Sequence, residues 1–207
     1  GGPFVLIQAA SYRDLYLEGK DEPFITQFDP DNEWVVTTGT FSKAFAPGLR
    51  SGWSYLPREL HTALCRLKAN QDFGSSNLNQ NLLRFLLESG AYEVAAARFR
   101  ERYRGKRDDL LSAIREFWPE DTDILYPFGG LYIWVRLPGI NTDPGTDFFN
   151  SVLEENVIYV PGAYCYCVET QEPKPIDCLR TCYGVIKSET MREAVRRMGT
   201  VIDKFKK

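Results

Sequence analysis

A single lysine placed among small hydroxyl residues is the feature that most constrains this chain. Residues 37–57 read TTGTFSKAFAPGLRSGWSYLP and follow a short strand-like run, WVV, at 34–36. Lys43 has Thr40 and Ser42 just before it and Arg50 seven positions after it. A guanidinium fork and two hydroxyls can converge on the oxygens of one phosphate group. The pattern therefore indicates a phosphate site with a reactive amine beside it.

The chemistry of a lysine next to a phosphate site narrows the choice of ligand. The Lys43 amine can form a Schiff base with an aldehyde. Pyridoxal 5'-phosphate is the cofactor that carries an aldehyde and a phosphate in one molecule. The alternative is a surface loop in which Lys43 and Arg50 are only solvated. That alternative predicts nothing about the rest of the chain.

Length and composition exclude several other classes of protein. The 207 residues suffice for one large domain or two small ones, and 43% of them are hydrophobic. The net charge of −3 gives no general attraction for nucleic acid. No apolar run approaches the roughly 20 residues of a membrane helix. Five cysteines, an odd number at irregular spacing, indicate reduced thiols and a cytoplasmic location.

Four of these cysteines fall within a short part of the sequence. They are Cys165, Cys167, Cys178 and Cys182. Their spacings, Cys-x-Cys and Cys-x-x-x-Cys, differ from the paired Cys-x-x-Cys of zinc ribbons. We therefore predict no metal site.

The lysine block closely resembles the lysine motif of fold-type I aminotransferases of class I/II, which depend on pyridoxal phosphate. That motif reads Ser/Thr-x-Ser-Lys and then Pro-Gly-x-Arg-x-Gly-Trp, with the same gap from lysine to arginine. The resemblance implies that Lys43 forms the Schiff base and that Thr40, Ser42 and Arg50 anchor the phosphate. It also implies an α/β fold of the PLP-transferase type. Residues 1–92 would be the closing part of a mostly parallel large-domain sheet, and residues 93–207 a long connecting helix and a small α+β domain.

The start of the chain matches the family at one position and departs from it at another. The family has Asp-x-x-Tyr after an early strand; the aspartate pairs with the pyridine nitrogen and the tyrosine reaches the phenolic oxygen. Tyr12 matches the tyrosine, but Ala9 stands where the family has aspartate, with Gln8 before it. Loss of the carboxylate would weaken the cofactor as an electron sink. A weakened homologue, an altered site and replacement by another group all remain open.

Three segments of the second half resemble the family in the same order. Residues 127–138 read PFGGLYIWVRLP, similar to the Pro-x-Gly-Gly-strand of the small domain. Residues 157–163 read VIYVPGA, similar to a Val-x-x-x-Pro-Gly near the substrate. Residues 178–184 read CLRTCYG. They resemble a Leu-Arg-Leu-x-Phe strand, whose arginine would bind the substrate α-carboxylate; Arg180 matches that arginine.

The remaining patterns predict secondary structure. The run at 4–7 indicates a buried parallel strand. Apolar residues around most of the helix at 77–87 predict that it is buried. The basic residues of a long helix at 91–117 are expected to be solvated. Thr146 is expected to cap a helix, and the chain is expected to end in an amphipathic helix whose apolar face runs from Met191 to Phe205. The only histidine, His61, is expected to be exposed on a helix.

The resemblance implies an enzyme that transfers an amino group between an amino acid and a 2-oxo acid, as a homodimer. The alternatives are a non-catalytic or truncated relative, supported by Ala9, a related PLP lyase, and the effector domain of a transcription regulator. The chain looks like the C-terminal half of such enzymes, which are about twice as long. If it acts without the other half, we expect weak pyridoxal phosphate binding and poor solubility.

Overall fold

A computed structural model describes residues 4–167 and 174–206 of the chain. Contacts divide the chain into two units, Gly1–Glu101 and Arg102–Lys207. The division falls inside one long helix. The boundary expected from the sequence, between residues 92 and 93, stays a prediction.

The first unit contains a three-stranded sheet in the order β1-β2-β3. These strands are β1 (Leu6–Ala9), β2 (Val35–Thr40) and β3 (Gly52–Tyr55). β1 runs parallel to β2, and β3 runs antiparallel to it. The first half of β2 is buried, and the strand has a neighbour on each side, β1 along Val35–Thr38 and β3 along Thr37–Thr40. The loop that carries Lys43 therefore begins at the end of the central strand, which is paired on both sides.

The prediction of a buried strand at 4–7 was wrong in two respects. β1 begins at Leu6, and its side chains are largely exposed, with Ile7 67% accessible. In the described part of the chain β1 is an edge strand that pairs with β2 alone. A continuous apolar run shows that a strand has apolar faces; it does not show what covers them.

The helices of the first unit lie after the sheet. They are α1 (Arg58–Asp72), α2 (Asn77–Glu88) and the start of α3 (Ala91–Phe117). Ser76 caps α2 by accepting a hydrogen bond from the Asn79 backbone at 3.4 Å. The prediction that α2 is buried was wrong, because Leu83 is its only buried residue and Phe85 is 65% exposed. His61 lies on α1, which has no buried residue.

The second unit contains a four-stranded antiparallel sheet in the order β4-β5-β7-β6. Its strands are β4 (Asp123–Leu125), β5 (Tyr132–Arg136), β6 (Val160–Pro161) and β7 (Cys178–Cys182). Its helices are the rest of α3, α4 (Asp147–Glu154) and α5 (Ser188–Phe205). Thr146 caps α4 as expected, accepting from the Phe149 backbone at 3.2 Å. Short 3-10 turns occur in both units. Those of the first unit are Arg13–Leu15, Ile25–Phe28 and Pro47–Leu49, and that of the second is Gly162–Cys165.

The expectation that the basic residues of α3 are solvated was wrong for Arg107, which is 1% exposed. Its guanidinium donates to Asp108 Oδ1 at 2.7 Å and to the Pro127 carbonyl oxygen at 3.1 Å. Arg107 lies on the helical stripe that continues through Leu110 and Ile114, both buried. A buried guanidinium needs a carboxylate and a carbonyl of this kind.

No helix in the described part of the chain combines the length and the apolar character that a bilayer span requires.

Candidate active site

Lys43 and Tyr12 lie together at one edge of the first sheet. β1 and β2 are parallel, so their carboxyl ends meet at the same edge. Each residue follows its strand by three positions, Tyr12 after β1 and Lys43 after β2. Lys43 Nζ lies 5.7 Å from the centroid of the Tyr12 ring. The topology therefore joins two predicted site residues that are far apart in the sequence.

The loop that carries Lys43 is closed by backbone hydrogen bonds. Phe41 donates its N–H to the Ser51 carbonyl oxygen at 3.2 Å, which continues the pairing of β2 with β3. Ala46 donates to the Phe41 carbonyl oxygen at 2.9 Å, so the chain turns tightly around Lys43. The Leu49 carbonyl oxygen accepts from the Asn79 side chain of α2 at 3.0 Å. The far side of the loop is thereby attached to the neighbouring helix.

Two predicted phosphate ligands, Thr40 and Ser42, contact each other. The Ser42 backbone N–H donates to Thr40 Oγ1 at 3.1 Å, and Thr40 Oγ1 donates to the Ser51 carbonyl oxygen at 3.3 Å. Among residues 4–167 and 174–206, the Ser42 hydroxyl makes no hydrogen bond. It remains available to an anion that approaches the loop.

Arg50, the third predicted phosphate ligand, has an unusual backbone. Its φ is +47°, in the left-handed region, where a residue with a side chain is disfavoured. Its side chain is exposed, and Nη1 donates to the Pro47 carbonyl oxygen at 3.4 Å. The other guanidinium nitrogens bond nothing in the described part of the chain. A strained backbone beneath a largely unpaired cation is typical of a functional position.

Ala9 and Gln8 point to opposite faces of β1. Gln8 pairs with Thr37, and its Oε1 accepts from the Ile25 backbone at 3.0 Å. Ala9 pairs with Thr38, on the face that Thr40 also shares. Gln8 therefore does not supply a polar group at the position of the family's aspartate.

Two residues that the sequence analysis did not single out, Tyr92 and Asp14, join the two site segments. Tyr92, on the first turn of α3, is buried and donates its hydroxyl to Asp14 Oδ2 at 2.6 Å. Its ring packs edge-on against Phe41 at 5.7 Å and lies 5.5 Å from Phe45. The sequence carried one signal for the burial of Tyr92. It lies four residues before Ala96, so the two side chains share one helical face, and Ala96 is fully buried.

Arg180 belongs to the second unit, on β7. Its guanidinium carbon lies 4.2 Å from the centroid of the Tyr132 ring. Its Nε is buried and has no hydrogen-bond partner among the described residues. An unpaired buried donor on a charged group is costly unless a ligand satisfies it. The arrangement suits an anion that approaches over β7.

The two turns beside this strand are held close to it. Tyr183 donates its hydroxyl to the Gly130 carbonyl oxygen at 2.7 Å, which anchors the glycine pair at 129–130. Gly162 follows β6, and a side chain there would begin 2.5 Å from the Cys178 carbonyl oxygen. Only glycine allows the turn to approach β7 this closely.

The cysteines form no metal centre in the part of the chain that the structure describes. No group of three or more His, Cys, Asp or Glu residues there could hold an ion. Cys178 is buried, and burial raises the pKa of its thiol.

Comparison with known proteins identifies the family. The family described as aminotransferase class I and II matches residues 8–198. The chain belongs to this aminotransferase family. An uncharacterised aminotransferase of Saccharolobus solfataricus is 30% identical over 200 residues, which are 96% of this chain and 48% of that protein.

The aminotransferase fold is shared with a solved structure. An alpha-aminoadipate aminotransferase of Thermus thermophilus, complexed with N-(5'-phosphopyridoxyl)-L-leucine, matches with a TM-score of 0.84 and 29% identity. The match covers 97% of this chain and 50% of that one. The predicted α/β fold of the PLP-transferase type is thereby confirmed.

Relatives of another kind are also matched. An uncharacterised HTH-type transcriptional regulator of Bacillus subtilis is 30% identical over 161 residues, 78% of this chain and 32% of that protein. The chain spans about half the length of the aminotransferases and less of the regulator.

Proposed function

We propose that this chain contributes to a pyridoxal phosphate-dependent aminotransferase, which moves an amino group between an amino acid and a 2-oxo acid. The observation that carries the proposal is the position of Lys43 Nζ, 5.7 Å from the Tyr12 ring at the carboxyl end of the sheet. Ligands of open α/β sheets bind at this edge. Membership of the aminotransferase family supports the same conclusion.

The residues present fit pyridoxal phosphate at three of four points. Lys43 would bind the aldehyde carbon covalently, and Tyr12 would donate a hydrogen bond to the phenolic oxygen. Ser42, Thr40 and Arg50 would hold the phosphate; the Ser42 hydroxyl and most of the Arg50 guanidinium have no partner among the described residues. Ala9 does not fit the ring nitrogen, because it has no carboxylate to keep that nitrogen protonated.

When bound, the cofactor supplies an electron sink for the bonds of the substrate α-carbon. The chain's own residues then position and move the proton. The Lys43 amine would be the base that takes the proton from the substrate α-carbon and holds it at Nζ. The tight turn around Lys43 fixes the backbone from which Nζ would act, and this lowers part of the entropic cost of proton transfer.

Arg180 would bind the α-carboxylate of the substrate. A planar guanidinium gives two parallel hydrogen bonds to a carboxylate and so fixes its orientation as well as its position. The buried and unpaired Nε supports this role, because a carboxylate would satisfy it. The ring of Tyr132 stabilises the cation from one side.

The domain and assembly assignments follow from the same proposal. The first unit would be part of the large cofactor-binding domain and the second the small domain. The protein would act as a cytoplasmic homodimer, and apolar side chains exposed on α1 and α2, such as Leu67 and Leu78, suit a protein interface. A Thermus thermophilus relative described as an alpha-aminoadipate aminotransferase favours an acidic amino acid as the first substrate to screen.

One observation favours a second candidate, a non-catalytic relative that binds pyridoxal phosphate without transferring an amino group. Ala9 removes the partner of the ring nitrogen, and Gln8 does not replace it. A similarity to a transcriptional regulator suits such a role. Restoration of a carboxylate at position 9 distinguishes the two candidates.

The first experiment is the visible absorption spectrum of the purified chain with added pyridoxal phosphate, followed by borohydride reduction and peptide mass mapping. The cofactor is added in excess, because weak binding is expected of this chain without the other half. Borohydride should then trap an adduct on Lys43 that is absent from Lys43→Arg. Lys68→Arg is the matched control, since Lys68 is exposed on α1 and pairs with Asp72 at 2.6 Å. Equal labelling of Lys43 and Lys68 in the wild type would exclude a specific site.

A further inference from the structure

Tyr92 makes two different contacts through its two ends. The hydroxyl donates to Asp14 Oδ2 at 2.6 Å, and Asp14 lies two residues after Tyr12. The ring contacts Phe41 at 5.7 Å and Phe45 at 5.5 Å, the two aromatic residues that flank Lys43. One side chain therefore touches both segments that carry the Tyr12–Lys43 pair.

The rest of the same helical face holds the first of these segments. Arg100, two turns after Tyr92 on α3, donates Nη1 to the Asp14 carbonyl oxygen at 3.3 Å. Its guanidinium carbon lies 4.7 Å from the centroid of the Tyr16 ring. Leu15, between these contacts, is fully buried. The segment after Tyr12 is thus fixed by side-chain, backbone and ring contacts from one helix.

The Tyr92 hydroxyl remains a donor over the whole working range of pH. Burial, and then the hydrogen bond to Asp14, raises the pKa of Tyr92 above its ordinary value of 10. The O–H therefore stays protonated and Asp14 accepts from it. A hydroxyl bound to a carboxylate forms a stronger and shorter hydrogen bond than one between neutral groups.

From these contacts we infer that Tyr92 is a positioning residue of the candidate active site. Through Asp14 it sets the place of Tyr12, and through Phe41 and Phe45 it sets the place of Lys43, so that it fixes the separation between the Tyr12 ring and Lys43 Nζ. The inference rests on the proposed function, in which Tyr12 and Lys43 serve the same cofactor.

The test uses Tyr92→Phe, which keeps the ring and removes only the hydroxyl. Tyr55→Phe is the matched control, because Tyr55 is 52% exposed on β3 of the same unit. In the full chain loaded with pyridoxal phosphate, Tyr92→Phe should lower the share of reduced adduct on Lys43 about tenfold. It should also raise the pH midpoint of the visible band, because a misplaced Tyr12 no longer stabilises an ionised phenolic oxygen. Tyr55→Phe should change neither quantity.

A second readout needs no cofactor. Amide hydrogen exchange should accelerate in peptide 10–16 of Tyr92→Phe, which loses the hydrogen bond to Asp14. It should stay unchanged in peptide 41–46, because phenylalanine keeps the ring contacts with Phe41 and Phe45. Tyr55→Phe should change neither peptide. Asp14→Ala should give the same changes, and the double variant should add little to either single one, because both remove one hydrogen bond. Additive effects, or exchange as slow as in the wild type, would overturn the inference.

The outcomes separate the inference from the proposed function. A wild-type chain that is labelled on Lys43, together with equal labelling of both phenylalanine variants, overturns the positioning role and leaves the aminotransferase proposal intact. A wild-type chain without a specific adduct overturns the proposed function. The exchange experiment still decides whether the Tyr92 hydroxyl holds the segment that follows Tyr12.

Discussion

Thr37 donates its hydroxyl to Gln8 Oε1 at 3.4 Å across the β1–β2 pair. The same oxygen accepts from the Ile25 backbone. These two hydrogen bonds hold the Gln8 side chain on the face of the sheet opposite to Ala9. The absent carboxylate at position 9 therefore has no substitute on the neighbouring residue.

Ala9→Asp should strengthen the candidate active site. Ala9 is exposed, so the larger side chain fits without a clash, and its carboxylate would raise the pKa of the ring nitrogen of bound pyridoxal phosphate. One pKa unit corresponds to about tenfold, and we expect the single-turnover rate of amino transfer to rise by about that factor or more.

Gln8→Asp is the matched control for this prediction, because it places the same carboxylate one residue away on the wrong face. A gain in both variants would mean that added negative charge, rather than its position, causes the effect. An unchanged rate in Ala9→Asp would favour the non-catalytic candidate.

Arg180→Lys should weaken substrate binding more than it affects the chemical step. Lysine keeps the charge but loses the planar pair of hydrogen bonds, which are worth about 1.5–3 kcal/mol to a charged partner. We expect the KM for the amino acid to rise at least about tenfold with a smaller change in kcat. Arg136→Lys, on the adjacent strand β5, is the control, since Arg136 is exposed and pairs with Asp177 at 2.8 Å.

Two helical glycines of the second unit should respond oppositely to alanine. In Gly199→Ala the new Cβ would lie 2.3 Å from the Phe117 carbonyl oxygen, so α5 must shift, and we expect a loss of about 1–3 kcal/mol in the free energy of unfolding. In Gly105→Ala, on α3, the new methyl group would enter open space with no neighbouring atom within 4 Å, and the variant should gain about 0.5–1 kcal/mol. Urea unfolding followed by circular dichroism measures both, and the same sign for the two variants would contradict the prediction.

Glu193 should stabilise the second unit at neutral pH and cease to do so in acid. Hydrogen bonds from Arg196 and then Arg197 lower its pKa from the ordinary 4.5 to about 2. A carboxylate with a lowered pKa contributes stability above its unfolded value, and this contribution is lost as the pH falls through the folded value. The difference in unfolding midpoint between wild type and Glu193→Gln should therefore be constant above about pH 5 and shrink toward pH 2.

Asp203→Asn, on the exposed side of the same helix, removes a carboxylate that has no ion pair in the described part of the chain. Its acid profile should follow the wild type. A difference for Glu193→Gln that persists at pH 2 would show that the glutamate acts through packing rather than charge.

The parts of the fold that the sequence predicted best are those with a local cause. Helix α3 has the expected bounds of 91–117, and Thr146 caps α4, because periodicity and capping involve residues close together in the chain. The proximity of Tyr12 and Lys43 followed from a motif, and the parallel pairing of β1 with β2 explains it.

The wrong predictions concern whether a helix face is covered by other parts of the structure. The apolar residues of α2 correctly indicated a helix, but their exposure depends on elements beyond the helix itself. Arg107 was expected in solvent because charge usually lies there, whereas its place on the stripe of α3 required burial. The hydrogen bond from Tyr92 to Asp14 joins residues 78 positions apart, and no spacing in the sequence encodes it.

The left-handed backbone of Arg50 has a consequence for any effort to engineer this protein. Glycine at this position would relieve about 1 kcal/mol of local strain. A selection for thermal resistance alone would therefore replace Arg50 and discard the guanidinium that the proposed cofactor needs. Thermal stability and cofactor binding therefore favour different residues at position 50. Screens of this loop should measure cofactor retention together with heat tolerance.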